Sequence, residues 1–397
     1  MDSISDEVYQ DQILPHVSRT FALTIPQLPA ALRPAVTNAY LLCRIADTIE
    51  DEPALPAAET LEFLEQFKAV VYGSGDAARL AQDLEGRLTD RTLAAERDLV
   101  KNMDRVVRVT HALEAPQRAA IQRCVELMCH GMPHFQRVTS LRGLARSSDL
   151  DRYCYYVAGV VGEMLTELFC GYDAVIARQR PALRALAASF AQGLQMTNIL
   201  KDIWEDRSRG ACWLPQEVFS RHGVDLASLS PEHHDRRFGD GLRELVGIAH
   251  AHLRNALAFT LLIPPKETGI RRFCLWAVGL AVLTLRKIDR NPQFTSGAQV
   301  KVSRNTVVMT QLLTGLLVRN DRMLRGLFEA AARGLPLAAP GAVSRAVSPL
   351  MSDPIPGSVS GPTLRHGAHA QLESGARMEA SAVPERARRR SDGSTAP

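Results

Sequence analysis

Between Asp6 and about Arg333, apolar residues recur at three- and four-residue intervals, and this periodicity limits the possible folds more than any other feature. Strand-like alternation bounded by turn residues is hard to find in that stretch. Pro and Gly fall mostly between the periodic segments, at Pro26 and Pro29, Pro53 and Pro56, Gly73–Gly75, Pro116, Pro215 and Pro264–Pro265. Punctuation of this kind predicts an all-α bundle of roughly ten helices or more. At Gly334 the character changes. From there on the chain holds eight of its 22 prolines, many Ala, Ser and Gly, and no Phe, Trp or Tyr. Such a segment buries too little apolar surface to offset its ordering entropy. Residues 1–333 are therefore expected to form one helical domain and residues 334–397 a disordered tail. The basic cluster Arg386, Arg388, Arg389 and Arg390 reads as a solvated charge run, with anionic lipid as the alternative contact.

Composition narrows the function classes. A net charge of +4 is too small to argue for a nucleic-acid partner. The seven cysteines are scattered and show no Cys-x-x-Cys pair, which fits free thiols in a reducing compartment and argues against a zinc site. The acidic start MDSISDEVYQDQ does not resemble a secretory signal. The longest uncharged apolar runs, Phe273–Leu285 and Val307–Val318, fall short of the ~20 residues that span a bilayer. A cytoplasmic protein is expected, at most resting on the inner membrane surface, with no transmembrane anchor.

One acidic pattern occurs twice. Asp47-Thr-Ile-Glu50-Asp51 and Asp202-Ile-Trp-Glu205-Asp206 both read D-x-x-E-D. On a helix, positions i, i+3 and i+4 share a face, so each copy is expected to project three carboxylates in one direction. Like charges packed that closely require a counter-charge, and a hard divalent cation with oxygen preference supplies it. Upstream residues extend each face: Tyr40 and Arg44 before Asp47 and Asp51, and Gln195 and Asn198 before Asp202 and Asp206. Both stripes run through apolar sequence, as groups lining a cavity would. Arg19, Arg44, Lys201, Arg207 and Arg209 lie close by in sequence. Metal-binding carboxylates with nearby Arg and Lys are the equipment for holding a diphosphate and stabilising it as a leaving group. A single D-x-x-E-D is more often surface charge; two copies with matching upstream polar residues are not readily explained that way.

At these residues the chain resembles the squalene and phytoene synthase family, enzymes that couple two prenyl diphosphates head to head. The motifs are Val17-Ser18-Arg19-Thr20-Phe21, the Tyr40–Asp51 segment, Tyr153-Cys-Tyr-Tyr-Val-Ala-Gly159-Val-Val-Gly162, and Gln195–Asp206 running on to Arg209-Gly and Trp213-Leu-Pro215. Together they extend the resemblance over roughly residues 10–320. The resemblance implies an all-α isoprenoid synthase fold around a central hydrophobic cavity. Asp47 and Asp51 on one wall would face Asp202 and Asp206 on the other, with Mg²⁺, or Mn²⁺ in its place, held between them and the prenyl diphosphates. Ser18, Arg19, Thr20, Arg44 and Lys201 would hold phosphate oxygens, with Tyr40, Gln195 and Asn198 lining the same region. Tyr153 matches the tyrosine assigned to proton removal or cation stabilisation, and Phe273 the aromatic that shields a carbocation. The small residues Ala158, Gly159 and Gly162 leave room either for a substrate chain or for a close helix. The Arg207–Pro215 loop is expected to act as a lid.

The tyrosine segment and the extended C-terminal helices are more similar to squalene synthases than to phytoene synthases. Squalene synthases reduce the final cation with NADPH, and Lys301, Arg304 and Asn198 would be its contacts. Val300-Lys301-Val-Ser303-Arg304 departs from the family's basic segment, with Ser303 at a usually basic position. A phytoene- or dehydrosqualene-type synthase without NADPH is therefore the alternative. A non-catalytic helical protein that binds lipid or a partner is a second alternative, and a terpene cyclase a third. A monomer is expected, and a bacterial origin, because the membrane-anchoring C-terminal helix of eukaryotic members is not recognised here.

Overall fold

The computed structural model describes residues 4–18, 20–138, 140–232 and 236–338, and among them the only β-type contact is an isolated bridge between Leu144 and Pro215. All the rest of the regular structure is helical, as the periodicity requires. The principal helices are Asp6–Val17, Arg33–Asp51, Ala57–Tyr72, Ala115–Val138, Val160–Tyr172, Arg180–Lys201, Arg236–Leu262, Thr268–Arg290, Arg304–Leu317 and Asp321–Ala331.

The Arg180–Lys201 helix sits at the centre, packed by Arg236–Leu262, Val160–Tyr172 and Thr268–Arg290. Its inward positions alternate bulky Leu183, Phe190, Ile199 and Leu200 with small Ala187, Ala188 and Ala191, so neighbouring helices approach closely. At Gly162 a methyl group would stand 2.1 Å from the Ala187 carbonyl oxygen. The small residue there serves helix packing and not a substrate chain. The Arg33–Asp51 helix lies against Ala115–Val138 and Met103–Ala112. Its buried Asn38 donates to Gln10 Oε1 (2.9 Å) and Val106 O (2.8 Å) and accepts from Thr110 Oγ1 (2.9 Å), pinning three helices in one register. All seven cysteines are free, and all but Cys43 are buried.

Several sequence expectations change. The helix after Tyr153 is interrupted: Ser147–Cys154 passes through a π-helical turn, Tyr155–Gly159, before Val160–Tyr172. The helix carrying the second acidic motif ends at Lys201, and Asp202 (φ −101°, ψ 17°) separates it from a short helix, Ile203–Ser208. The Arg207–Pro215 loop is packed down, not lid-like. Ala211, Cys212, Trp213 and Leu214 are buried, Leu144 N–H donates to Leu214 O (2.9 Å), and Arg207 donates to Leu141 O (3.1 Å) and Leu229 O (2.5 Å).

Packed chain also continues past Arg333. Ala338 N–H donates to Gly247 O (3.1 Å), and Pro336 O is hydrogen-bonded to His250 Nδ1 (2.8 Å). The rest of the expected tail, residues 339–397, lies outside the described residues. Arg236–Leu262 and Thr268–Arg290 are each long and apolar enough to cross a membrane by length and composition, contrary to the reading from uninterrupted runs. Most of each apolar window is buried inside the bundle, which is the situation of core helices.

Candidate active site

The Arg33–Asp51 helix ends on its acidic motif, placing Asp47, Glu50 and Asp51 in the last turn. That end carries the partial negative charge of the helix dipole, so carboxylates there are doubly unfavourable without a cation. Asp47, Glu50, Asp202 and Asp206 are each no more than 6% exposed, which removes the reading of either motif as solvated surface charge. Burial pushes the Glu50 carboxyl well above the usual range, and Asp51 and Asp47 push it further. Asp206 is raised the same way by burial and Asp202, opposed by Arg209, with Glu205 and Asp51 adding to the rise. Asp51 acts on Asp206, so the two motifs lie within electrostatic range of one another. Tyr153 completes the convergence: burial raises its hydroxyl, followed by Glu50, Asp206, Cys154 and Asp51. Its ring stacks on Trp213, centroids 4.1 Å apart and planes 3° from parallel, and meets Phe135 edge-on at 5.7 Å.

Cations flank the carboxylates. Arg44 binds Glu96 Oε1 at 2.6 Å and lies 4.0 Å from Asp47 Oδ2, while Lys201 Nζ is 3.2 Å from Asp202 Oδ2. A polar cavity of about 430 Å³ opens here, lined among others by Arg44, Asp47, Asp51, Arg91, Thr92 and Arg209. A second, more apolar cavity of about 600 Å³ brings Thr20, Phe21, Asn198 and Lys201 together with Trp276, Leu280, Lys301 and Arg304. The donor set suits Mg²⁺. Its donors are carboxylate oxygens, but among the described residues no three Asp, Glu, His or Cys side chains group so as to hold a metal ion by themselves. Mg²⁺ is usually held by one or two carboxylates together with substrate phosphates.

The family model for squalene/phytoene synthase matches residues 14–306 of this chain. The chain belongs to the squalene/phytoene synthase family. Squalene synthase 1 of Arabidopsis thaliana is 30% identical over 300 residues, covering 74% of this chain and 67% of that protein. The squalene synthase of Gibberella zeae is 28% identical over 279 residues, 70% of this chain. The match spans only 57% of that relative's length. The squalene synthase of Saccharomyces cerevisiae is 28% identical over 324 residues, covering 80% and 68% of the two chains. These relatives are fungal and plant, and lend no support to a bacterial source. Among solved structures, a TcSQS complex with the ligand BPH1237 superposes with a TM-score of 0.64 at 24% identity, covering 83% of this chain and 98% of that one. A dehydrosqualene synthase complex gives 0.56 at 21% identity, covering 82% and 97%. Both show the same fold.

Other residues of the squalene/phytoene synthase motifs are distributed as follows. Ser18 is buried, and its hydroxyl accepts from Phe21 N–H (2.9 Å), shaping the turn that brings Thr20 and Phe21 to the apolar cavity. Arg19 lies outside the described residues. Tyr40 donates to Val17 O (2.9 Å), tying the first acidic helix to that same turn. Gln195 is buried on the central helix, one turn before the cavity-lining Asn198. Phe273 is buried edge-on to Phe169 (6.3 Å) and lines neither of the two cavities.

Sequence reasoning missed several neighbours. Glu96 holds Arg44 and also accepts from Leu93 N–H (3.2 Å); its position three residues into a helix was the available signal. Glu52, next to the first motif, accepts from Thr89 N–H (2.9 Å) and Thr92 Oγ1 (2.8 Å), bringing the Thr92 loop to the polar cavity. Although its burial works against ionisation, these hydrogen bonds hold its carboxyl below the ordinary value. Glu205 lies near enough to its motif's aspartates to raise Asp206, and it is also held from a distant segment. Its Oε1 accepts from Gly297 N–H (2.8 Å), tying the Gly297–Val300 turn to the second motif. A methyl group at Gly297 would come within 3.1 Å of Asp202 Oδ1, so only glycine fits that contact without displacement.

Proposed function

We propose that this chain is a squalene synthase: it joins two farnesyl diphosphates head to head into a cyclopropyl (presqualene) diphosphate and reduces that with NADPH to squalene. The observation that carries this reading is the convergence of buried Asp47, Asp202 and Asp206, half-buried Asp51 and Tyr153, with Asp51 acting on Asp206 and both acting on the tyrosine. Asp47 and Asp51, and Asp202 and Asp206, would hold Mg²⁺. When bound, that metal would supply the positive charge that makes pyrophosphate a tolerable leaving group. Arg44, Lys201 and Arg209 flank the carboxylates and would take phosphate oxygens directly. Tyr153, held flat against Trp213, would present an electron-rich face to an allylic cation. The apolar lining of the larger cavity would keep water from that cation. NADPH would supply the final hydride. Its phosphates need cations, and Lys301 and Arg304 stand at the cavity that also contains Asn198. The names of the relatives and the shared fold support the same reading.

The test is product analysis with farnesyl and geranylgeranyl diphosphate, with and without NADPH and Mg²⁺. Squalene formed only when farnesyl diphosphate, NADPH and Mg²⁺ are all present is the expected result. Asp47→Asn and Asp202→Asn should each lower turnover about a hundredfold or more while the protein stays folded. Near-normal turnover in either variant would remove the two-site model. An enzyme that never consumes NADPH would be a phytoene- or dehydrosqualene-type synthase instead.

A further inference from the structure

The Arg304–Leu317 helix is turned inside out relative to an ordinary surface helix. Its buried positions are Thr310 and Thr314, whose hydroxyls bond back to the helix's own carbonyls at Thr306 O (2.8 Å) and Thr310 O (2.6 Å). Its solvent side carries Val308, Met309, Leu312, Leu313 and Leu316, which are between 38% and 81% exposed, with Leu316 the most. Positions i, i+1, i+4, i+5 and i+8 form one continuous stripe. A helix that buries threonine and exposes leucine loses free energy in water, so the stripe marks a contact surface.

Charge indicates what the contact is. Arg319, Arg322 and Arg325 stand exposed beyond the helix's C-terminal end. The only carboxylates between residues 301 and 333 are Asp321, paired with Arg271 (2.6 Å), and Glu329, paired with Arg254 (2.8 Å). The chain that follows the stripe therefore carries a net positive charge. A second copy of the chain packed about a two-fold axis would bring these arginines toward their own equivalents. The chain's segment beyond Ala338 is itself most strongly charged in a run of arginines. An anionic lipid surface satisfies both features, accepting the leucines below its headgroups and pairing with the arginines. Val307, Val308 and Gln311 of this helix also line the large apolar cavity, so the exposed stripe meets that cavity at Val308.

We propose that the Arg304–Leu317 helix docks this protein on an anionic membrane through Met309, Leu312, Leu313 and Leu316, with Arg319, Arg322 and Arg325 gripping the headgroups. Docking there sets the mouth of the apolar cavity against the bilayer. It rests on the proposed reaction only in making that mouth the exit for a hydrocarbon product.

The test is vesicle flotation of the full chain on phosphatidylcholine with and without phosphatidylglycerol. Tighter binding by about tenfold to the anionic vesicles, weakened by salt, is expected. The triple variant Leu312→Ser/Leu313→Ser/Leu316→Ser should lose about tenfold or more of that binding. Arg319→Gln/Arg322→Gln/Arg325→Gln should lose the preference for phosphatidylglycerol. Turnover of both on dispersed farnesyl diphosphate should stay near that of the unchanged protein, so a failed docking surface and a failed reaction assignment give different results. Three outcomes would overturn the proposal: undiminished binding by the leucine variant, a change of oligomeric state in that variant without vesicles, or binding that vanishes on truncation after Ala338 while the leucine variant binds normally.

Discussion

Asp202 and Glu205 stand three positions apart in a motif that repeats the acidic positions of an earlier one, yet their partners differ. Asp202 is buried beside Lys201 and Asp206, whereas Glu205 accepts a backbone hydrogen bond from Gly297. Its counterpart Glu50 is buried among its own motif's carboxylates. A side chain's partners depend on which neighbour comes within reach, and spacing along the chain does not contain that information. Single residues also set the response to acid. His252 is buried, its Nδ1 2.8 Å from Ser189 Oγ, and burial lowers its pKa from 6.5 to about 4. Between those values the unfolded chain takes up a proton that the native imidazole excludes. Stability is therefore full above pH 6.5 and falls as the pH drops toward about 4. This group alone contributes a loss of about 3 kcal/mol across that window. Denaturant unfolding of His252→Gln at a series of pH values should show a shallower acid dependence than the unchanged protein. An identical slope would show that other groups dominate.

At the scale of elements, what matters is where helices stop. The Arg33–Asp51 helix ends on carboxylates, the central helix ends just before Asp202, and a π-helical turn widens the chain immediately after Tyr153. Each interruption lies at the site, and each costs backbone regularity that a purely structural helix would keep. Ser303 belongs to the same class. Its hydroxyl accepts from Thr306 N–H (3.2 Å) as the N-cap of Arg304–Leu317, which explains a serine where the family usually carries a basic residue. The cap fixes the start of that helix and leaves Lys301 and Arg304 on either side of it at the apolar cavity. Replacing Lys301 and Arg304 together with Ala should spare formation of the cyclopropyl diphosphate, which needs no nicotinamide, and lower squalene output by about tenfold or more. Chromatography of reaction products would show the diphosphate or its unreduced breakdown products accumulating. Unchanged NADPH-dependent squalene formation would remove these two residues from the nicotinamide site.

For the whole molecule, the boundary of the folded body lies beyond the compositional break. Composition shifts at Gly334, but Pro336 and Ala338 are hydrogen-bonded to the Arg236–Leu262 helix. Truncation after Gly334 should cost about 1–2 kcal/mol by removing those two bonds, while truncation after Ala338 should leave the melting temperature unchanged. Calorimetry of the two shortened chains distinguishes the cases. Equal melting temperatures would mean the bonds contribute nothing, and a large loss in the longer chain would mean residues 339–397 pack on the body.

The all-helical class and the family were legible in the residues alone, which also singled out both aspartate pairs as candidate metal ligands. The first follows from a periodicity that every turn repeats, and the others from residue types at short, fixed spacing. Only the tertiary structure decided which way Glu205 turns, that Gly162 serves a neighbouring helix and not a ligand, and that the Arg207–Pro215 loop is packed down. It also decided that Glu96 and Glu52 belong to the site's surroundings. These outcomes depend on contacts between segments far apart in the chain, where a few tenths of an ångström of helix approach settle which side chain fits. No local pattern records that distance.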